Sequence, residues 1–197
     1  MDWIKQITST VEPIQDQIYG PRYRCTLKLK DGTLLPCAVL QSRDRLVDLA
    51  KRRIREEMQG RGALGGDDPY GQIVSTFVAG GNRVNDYDVA SASTSRFAIP
   101  LALLKQIHGE TTMGWTGWVF RMKDQRLFAY GTTFLTEFFQ LPDGYEFSDV
   151  AEVLNHSGLS EDGSLIKLRE GGALPSRYPR DSVLRERAFF SCAVYGI

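Results

Sequence analysis

Apolar and polar positions change period several times along the chain, which predicts short helices and strands in mixed order. Residues 2–19 begin with apolar side chains at helical spacing until Pro13 interrupts them, predicting a short helix. The next segment, residues 22–40, has two alternating runs around Asp31-Gly32. This pattern predicts a hairpin, because glycine accepts the positive φ of a tight turn. Pro36 cannot donate to a strand ladder, so the second strand should lie at a sheet edge or carry a bulge.

The segment from Ser42 to Gly60 has the period of an amphipathic helix, with Ser42 as the expected N-cap and Gly60 as the stop. Its predicted apolar stripe comprises Leu46, Val47, Ala50, Ile54 and Met58. The glycine-rich residues that follow, 60–71, are typical of a loop.

Two further hairpins and a helix are predicted in the middle of the chain. Residues 72–92 have strand character on both sides of Gly80-Gly81-Asn82, which predicts the second hairpin. Pro100 is expected to begin a short apolar helix that ends by Gly109, because a missing N–H costs nothing at the first helical position. Residues 115–134 are rich in aromatic and β-branched residues and predict the third hairpin.

The last third of the chain predicts one more helix and one more buried strand. Residues 147–156 carry apolar side chains at helical spacing behind Ser148, the expected N-cap. Residues 164–169 are a strand candidate within a long loop. The final ten residues are expected to form a buried strand with Phe190, Cys192 and Val194 on one face.

These elements together predict an α+β fold in a single globular domain over residues 1–197. Three hairpins and a C-terminal strand should form an antiparallel sheet, with the helices packed mainly on one face. Strands and helices do not alternate one by one, which argues against a parallel doubly wound fold.

The composition of the chain limits the partners and the cellular location that we expect. Lysine plus arginine equals aspartate plus glutamate at 24 each, so the whole chain lacks the basic excess of most nucleic-acid-binding proteins. No segment has the length and hydropathy of a membrane span, and residues 1–13 lack the pattern of a secretory signal. Three cysteines suit a reducing compartment better than a disulfide framework. We therefore expect a cytoplasmic protein without a membrane partner.

Motifs for catalysis, cofactors and metals are weak. Residues 60–65 match Gly-x-Gly-x-x-Gly, but a helix precedes them and Asp67-Asp68-Pro69 follows, which is the wrong context for a dinucleotide. No Cys-x-x-Cys or His-x-x-x-His spacing supports zinc. Cys25 and Cys37 should face one another across the first hairpin, and buried Cys192 should be inert. We predict no catalytic residue, no cofactor and no metal site.

Candidate partner-binding residues lie in three places. The predicted helix after Ser42 carries Arg45, Arg52 and Arg55 among interspersed acidic residues. In the third hairpin, Trp118, Phe120 and Met122 should face the core, which leaves Trp115 as the candidate surface aromatic. Residues 157–180 form a long segment in which Arg177 and Tyr178, between two prolines, suit contact with a partner.

Our leading functional hypothesis is a non-catalytic protein-interaction module, such as a regulator, an inhibitor or an immunity-type factor. Its partner would be another protein or a second copy of the chain. The first alternative is a nucleic-acid-binding regulator that uses the basic helix 43–59. The second is a metal-assisted phosphoesterase or nuclease that uses Asp86, Asp88 and His108.

Overall fold

Helices and strands follow one another irregularly along the chain. The computed structural model describes residues 2–60, 68–73, 75, 80–111, 113–132, 137–168 and 180–197. The helices are α1 (Asp2–Thr10), α2 (Arg43–Met58), α3 (Pro69–Ile73) and α4 (Leu101–Leu104). The strands are β1 (Ile14–Asp16), β2 (Gly20–Leu29), β3 (Leu34–Ser42), β4 (Arg83–Val84), β5 (Val89–Thr94), β6 (Thr116–Met122), β7 (Leu127–Thr132), β8 (Phe139–Gln140), β9 (Val150–Asn155), β10 (Ser157–Leu159), β11 (Leu165–Lys167), β12 (Arg185–Glu186) and β13 (Phe190–Val194).

The chain divides into two units, which are described separately below. Unit 1 comprises Met1–Arg96 and Phe189–Ile197, and unit 2 comprises Phe97–Ala188. The single domain over residues 1–197 stays a prediction. The α+β class is confirmed, since helices coexist with sheets that are mostly antiparallel. Among the described residues, no helix has both the length and the apolar composition needed to cross a membrane.

Unit 1 is built on a mixed sheet. Its strand order is β1-β2-β3-β13-β4, and β5 also pairs with β2. Strands β3, β13 and β4 are parallel to one another, whereas β2 runs antiparallel to β3. The sheet is therefore not the purely antiparallel one that the sequence predicts.

The first hairpin is confirmed, with Gly32 at a φ of 90° in its turn. Pro36 lies at a bulge, because Cys25 pairs with Ala38 but Leu27 pairs with Leu35. The carbonyl oxygen of Pro36 accepts hydrogen bonds from the hydroxyls of Thr26 and Ser95. The predicted bulge at Pro36 is thus confirmed. The alternative prediction, an edge strand, is wrong, because β3 lies between β2 and β13.

Helix α1 covers one face of this sheet. Its three buried residues join a core with side chains from the sheet: Trp3, Ile4, Ile7, Cys25, Leu27, Leu35, Ala38, Leu40, Val89, Ala92, Cys192 and Val194. The predicted short N-terminal helix and the predicted buried terminal strand are both confirmed, except that Phe190 is exposed. Val39, which alternates to the opposite face of β3, is also fully buried, so side chains are buried on both faces of the sheet.

Helix α2 begins directly after β3 at the predicted position. Ser42 is its N-cap residue but makes no side-chain capping bond. Its buried stripe consists of Leu46, Leu49 and Ala50. Val47 and Met58 are exposed, so the predicted stripe is wrong at its edges.

Part of the second predicted hairpin, residues 74 and 76–79, lies outside the described residues. Gln72 and Ile73 belong to helix α3, not to a strand. The strand after the Gly80-Gly81-Asn82 turn is β4, which pairs with β13, while β5 pairs with β2. The strands that follow this turn thus pair with strands distant in sequence, which the turn residues do not predict.

Unit 2 contains a three-stranded antiparallel sheet, β7-β6-β9, and two short ribbons, β10-β11 and β12-β8. The third hairpin is confirmed as β6 and β7, and the helix predicted at Pro100 is confirmed as α4. Trp118, Phe120 and Met122 are fully buried on one face of β6, as expected. Val119 is equally buried on the other face, with Ala129 and Leu159.

The helix predicted over residues 147–156 is wrong. Phe147–Asp149 forms a single 3-10 turn, which Glu146 caps in place of Ser148, and β9 follows it. The register of β9 against β6 shifts between Glu152 and Val150, so Ala151 is an extra residue. A bulge of this kind puts Val150 and Val153 against the same core, which imitates the period of a helix.

Candidate functional site

The carboxyl ends of three parallel strands meet at one edge of the unit 1 sheet. Arg43 is the first residue after β3, and Tyr195 is the first after β13. Asp86 and Tyr87 lie in a 3-10 turn that begins two residues after β4. Because β13 lies between β3 and β4, these segments are brought to the same place although they are far apart in sequence.

Arg43 connects the three segments. Its Nη2 donates to Oδ1 of Asp86 at 2.8 Å and to the carbonyl oxygen of Ala193 at 2.8 Å. Its guanidinium carbon lies 4.8 Å from the ring centroid of Tyr195, a cation–π arrangement. The side chain of Arg43 is therefore held in one position by three partners.

Arg43 supplies positive charge beside a buried carboxylate. Asp86 is only 6% exposed, so its carboxylate depends on Arg43 for compensation. Partial burial opposes the charge on Arg43, but the side chains of Tyr195 and Asp86 outweigh it and raise the pKa of Arg43.

Two tyrosines beside this ion pair are exposed. Tyr87 is 64% exposed and Tyr195 is 58% exposed, although large aromatic side chains usually bury most of their area. We call Arg43, Asp86, Tyr87 and Tyr195 the tyrosine edge. Val47 lies one helical turn beyond Arg43 and is 41% exposed, which extends the apolar surface along α2.

The arginines proposed from the sequence lie on α2. Arg45, Arg52 and Arg55 are all exposed, and the spacing of seven and ten residues puts them on one broad side of the helix. Arg52 is 4.0 Å from Glu56, which also pairs with Arg53 at 3.0 Å. In the described part of the chain, Arg45 and Arg55 make no ion pair, so their charges face solvent.

Trp115 belongs to unit 2 and is half-buried. Its indole lies across Gly117, where a Cβ atom would come within 2.7 Å of Cη2 of the ring. A ring held against glycine in this way keeps part of its surface open to solvent. The other two candidates, Arg177 and Tyr178, lie outside the described residues, as do residues 61–65 of the glycine-rich motif.

The acidic residues considered for a metal are not arranged as expected. Asp86 and Asp88 lie in a 3-10 turn, not along a strand. Arg43 occupies the position beside Asp86 that a cation would need, and Asp88 accepts a hydrogen bond from Asn85. His108 belongs to unit 2, where its Nδ1 is 2.9 Å from the carbonyl oxygen of Gln106. Within the described ranges, no group of three or more histidine, cysteine, aspartate or glutamate side chains could hold a metal.

The cysteines also differ from the expectation. Cys25 pairs with Ala38, so Cys37 is one position away from facing it, at the bulge next to Pro36. All three cysteines are buried, and none of them forms a disulfide. Burial raises the pKa of Cys25 and of Cys192 to about 12, which removes the thiolate needed for nucleophilic chemistry.

Sequence reasoning did not bring Arg43, Tyr87 and Tyr195 together as one group. Each tyrosine stands in a polar or glycine-containing segment, Asp86-Tyr87-Asp88 and Tyr195-Gly196, which is a weak indication of exposure. Their proximity to Arg43 could not be predicted, because it depends on β13 lying between β3 and β4.

Comparisons with protein-family models, with curated proteins and with solved structures found no match. The geometry described above is therefore the basis of the functional argument. The tyrosine edge offers aromatic area, phenol hydroxyls and one immobilised guanidinium, which are groups suited to recognition.

Proposed function

We propose that the chain is a non-catalytic protein-interaction module, such as a regulator, an inhibitor or an immunity-type factor, and that its partner contacts the tyrosine edge of unit 1. The observation that carries the proposal is the exposure of Tyr87 and Tyr195 beside the ion pair of half-buried Arg43 and buried Asp86. Tyrosine and arginine are enriched among the residues that contribute most to protein–protein binding.

Preorganisation supports the same proposal. A tyrosine presents a large contact area with only two side-chain torsions, so ordering it costs little entropy. Arg43 is already held by Asp86 and the Ala193 carbonyl, so it loses little freedom when a partner binds. The tyrosine edge is thus a small preorganised contact surface. Arg45, Arg52 and Arg55 are exposed on α2, and their positive charge favours a partner with acidic residues.

Site-specific photo-crosslinking tests the proposal. A benzoyl-phenylalanine is placed at Tyr87, at Tyr195 or at Tyr70, and each protein is irradiated in its own host. Tyr70 is the matched control, because it is also 64% exposed in unit 1 but lies in α3, outside the tyrosine edge.

We expect an adduct of one defined mass from positions 87 and 195 and none from position 70. The partner so identified should bind the Y87A/Y195A protein at least about 30-fold more weakly than the unchanged chain. Loss of a hot-spot residue costs about 2 kcal/mol or more, which corresponds to this factor. Equal adducts from all three positions, or undiminished affinity of the double variant, would rule out the tyrosine edge as the interface.

Binding of nucleic acid through α2 is a second candidate. The observation in its favour is that Arg45, Arg52 and Arg55 are exposed on one side of a helix, with Arg45 and Arg55 outside any ion pair in the described residues. Neutralised phosphates release counterions, so affinity for duplex DNA or RNA should fall steeply with salt. A flat salt dependence, or equal affinity of the R45Q/R52Q/R55Q protein, would exclude this role.

A further inference from the structure

A cleft of about 360 Å³ lies in unit 2, and none of the residues proposed above lines it. Its walls come from the residue before β7, from β8 and the segment after it, and from the chain leading into β12. The volume is at the lower end of the range found for small-molecule sites. It suits a ligand of few heavy atoms.

The cleft is lined by two positively charged and two negatively charged side chains. Two guanidinium groups, of Arg126 and Arg185, share its walls with the carboxylates of Asp143 and Asp181. The formal charge of these four side chains sums to zero. A polyanion such as a nucleotide would place negative charge against both carboxylates. A polyamine would place positive charge against both arginines.

Arg185 and Gln140 are neighbours in the wall of the cleft, and both can donate hydrogen bonds. Arg185 of β12 is the cross-strand partner of Gln140 of β8, so their side chains are neighbours. The Oε1 of Gln140 already accepts a hydrogen bond from Nη1 of Arg187 at 3.0 Å. The group that Gln140 can offer to a ligand is therefore its amide N–H, and an arginine beside an N–H donor suits a carboxylate.

Arg126 is positioned by its own neighbours. Its guanidinium lies 5.9 Å from the ring centroid of Tyr145, whose hydroxyl donates to Asp124. Hydrogen bonding to Tyr145 and the nearby charges of Asp124 and Asp181 raise the pKa of Arg126. Asp143 differs, because among the described residues it has no hydrogen bond or ion pair, and it is free to receive an ammonium group.

An apolar wall completes the cleft. Leu141, Pro142 and Val183 line it beside the charged groups. Leu141 is buried and belongs to the unit 2 core, and Pro142 and Val183 are half-buried. A ligand that fits all of these features carries a carboxylate, an ammonium group and a short apolar part.

We propose that this cleft is a binding site for a small zwitterion of the α-amino acid class, with Arg185 and Gln140 receiving its carboxylate and Asp143 receiving its ammonium group. The site is independent of the tyrosine edge, which belongs to unit 1.

Titration calorimetry of the full chain with free amino acids tests this assignment. Each amino acid that binds is compared with its N-acetyl form, which lacks the ammonium group, and with its amide, which lacks the carboxylate. The variants are R185Q, D143N and the control E161Q, because Glu161 is an exposed acidic residue of unit 2 outside the cleft.

We expect at least one apolar amino acid to bind saturably and both modified forms to bind at least tenfold more weakly. R185Q and D143N should each weaken binding at least tenfold, and E161Q should leave it unchanged. The assignment is overturned by absence of binding up to about 10 mM for all amino acids, since a ligand with a Kd of about 1 mM would then be mostly bound. Equal binding of the N-acetyl form would also overturn it, because it would reveal a simple anion site.

Discussion

The Nη2 atom of Arg43 lies 2.8 Å from Oδ1 of Asp86, although 43 residues separate them in the chain. The same nitrogen donates to the carbonyl oxygen of Ala193, so one side chain connects the segments that follow β3, β4 and β13. The guanidinium also lies against the ring of Tyr195, and Tyr87 follows Asp86 directly in the chain. A substitution of Arg43 should therefore change both the stability of unit 1 and the arrangement of its proposed interface.

Replacing Arg43 with methionine should destabilise unit 1 by about 2–3 kcal/mol. The substitution leaves the carboxylate of Asp86 buried without its compensating charge, and this cost exceeds the value of the contact itself. Urea denaturation, followed by amide signals of β3 and β13, measures the change. The matched control is R121M, because Arg121 pairs with Glu152 at 2.6 Å on an exposed surface and should lose less than about 1 kcal/mol.

The double variant R43M/D86N should recover part of the loss, because it removes both charges. If R43M and R121M cost the same, the Arg43–Asp86 pair has no special role in unit 1.

Replacing Gly117 with alanine should displace the indole of Trp115. The new Cβ would overlap the ring and lie 2.9 Å from Cδ1 of Leu168, so the ring must move outward at a cost of about 1–2 kcal/mol. The three tryptophans of the chain give three indole N–H signals in a nitrogen–proton spectrum. The signal of Trp115 should move most, with Trp118 nearly unaffected.

Gly81→Ala is the control for this change, since nothing lies within 4 Å of a Cβ at that position. It should alter stability by less than about 0.5 kcal/mol. An unmoved Trp115 signal in the G117A protein would contradict the packing described for this ring.

The buried thiols should make stability fall at alkaline pH. Burial raises the pKa of Cys25 and Cys192 to about 12, whereas an unfolded cysteine ionises near 8.5. Below the lower value both states keep the proton, so the thiols do not affect stability. Above it, the unfolded chain loses protons that the folded chain retains, and the free energy of unfolding falls by up to about 1.4 kcal/mol per pH unit for each thiol.

Unfolding measurements between about pH 8 and about pH 10 on the unchanged chain and on C25A/C192A test this expectation. The double variant should show a shallower decline, because other groups still titrate. Parallel slopes for the two proteins would show that the thiols are not protected in the folded state.

The bulge at Pro36 should depend on the hydroxyls that its carbonyl binds. Thr26→Val keeps the shape of the side chain but removes one donor to the Pro36 oxygen, at a cost of about 1 kcal/mol. The measurement is the thermal midpoint of unfolding. Exposed Thr10 offers the control, because its hydroxyl bonds only within the last turn of α1 and Thr10→Val should cost less. Equal costs for the two substitutions would refute a role for the bulge contact.

Local chemistry was enough to predict several elements. The Asp31-Gly32 turn, the beginning of α2 after Ser42 and the short helix at Pro100 depend on residues adjacent in sequence, and the structure confirms them. The burial of Trp118 also follows from alternation along a single strand. In these cases the determining interactions span only a few residues.

The errors arose where distant strands decide the outcome. The spacing of Val150 and Val153 imitates a helix because pairing with β6 forces a bulge at Ala151. The segment after Gly81 pairs with β13, more than one hundred residues further on. In both cases pairing with a strand distant in sequence decides the structure, and local preference does not predict it.

By itself the sequence determined the α+β class, the first and third hairpins and the exposed arginines of α2, because period, turn residues and charge act locally. Only the tertiary structure decided that β13 lies parallel between β3 and β4, and this placement brings Arg43, Asp86 and Tyr195 together. The reason is physical: which strands become neighbours depends on the whole sheet and its core, and no local pattern encodes that choice.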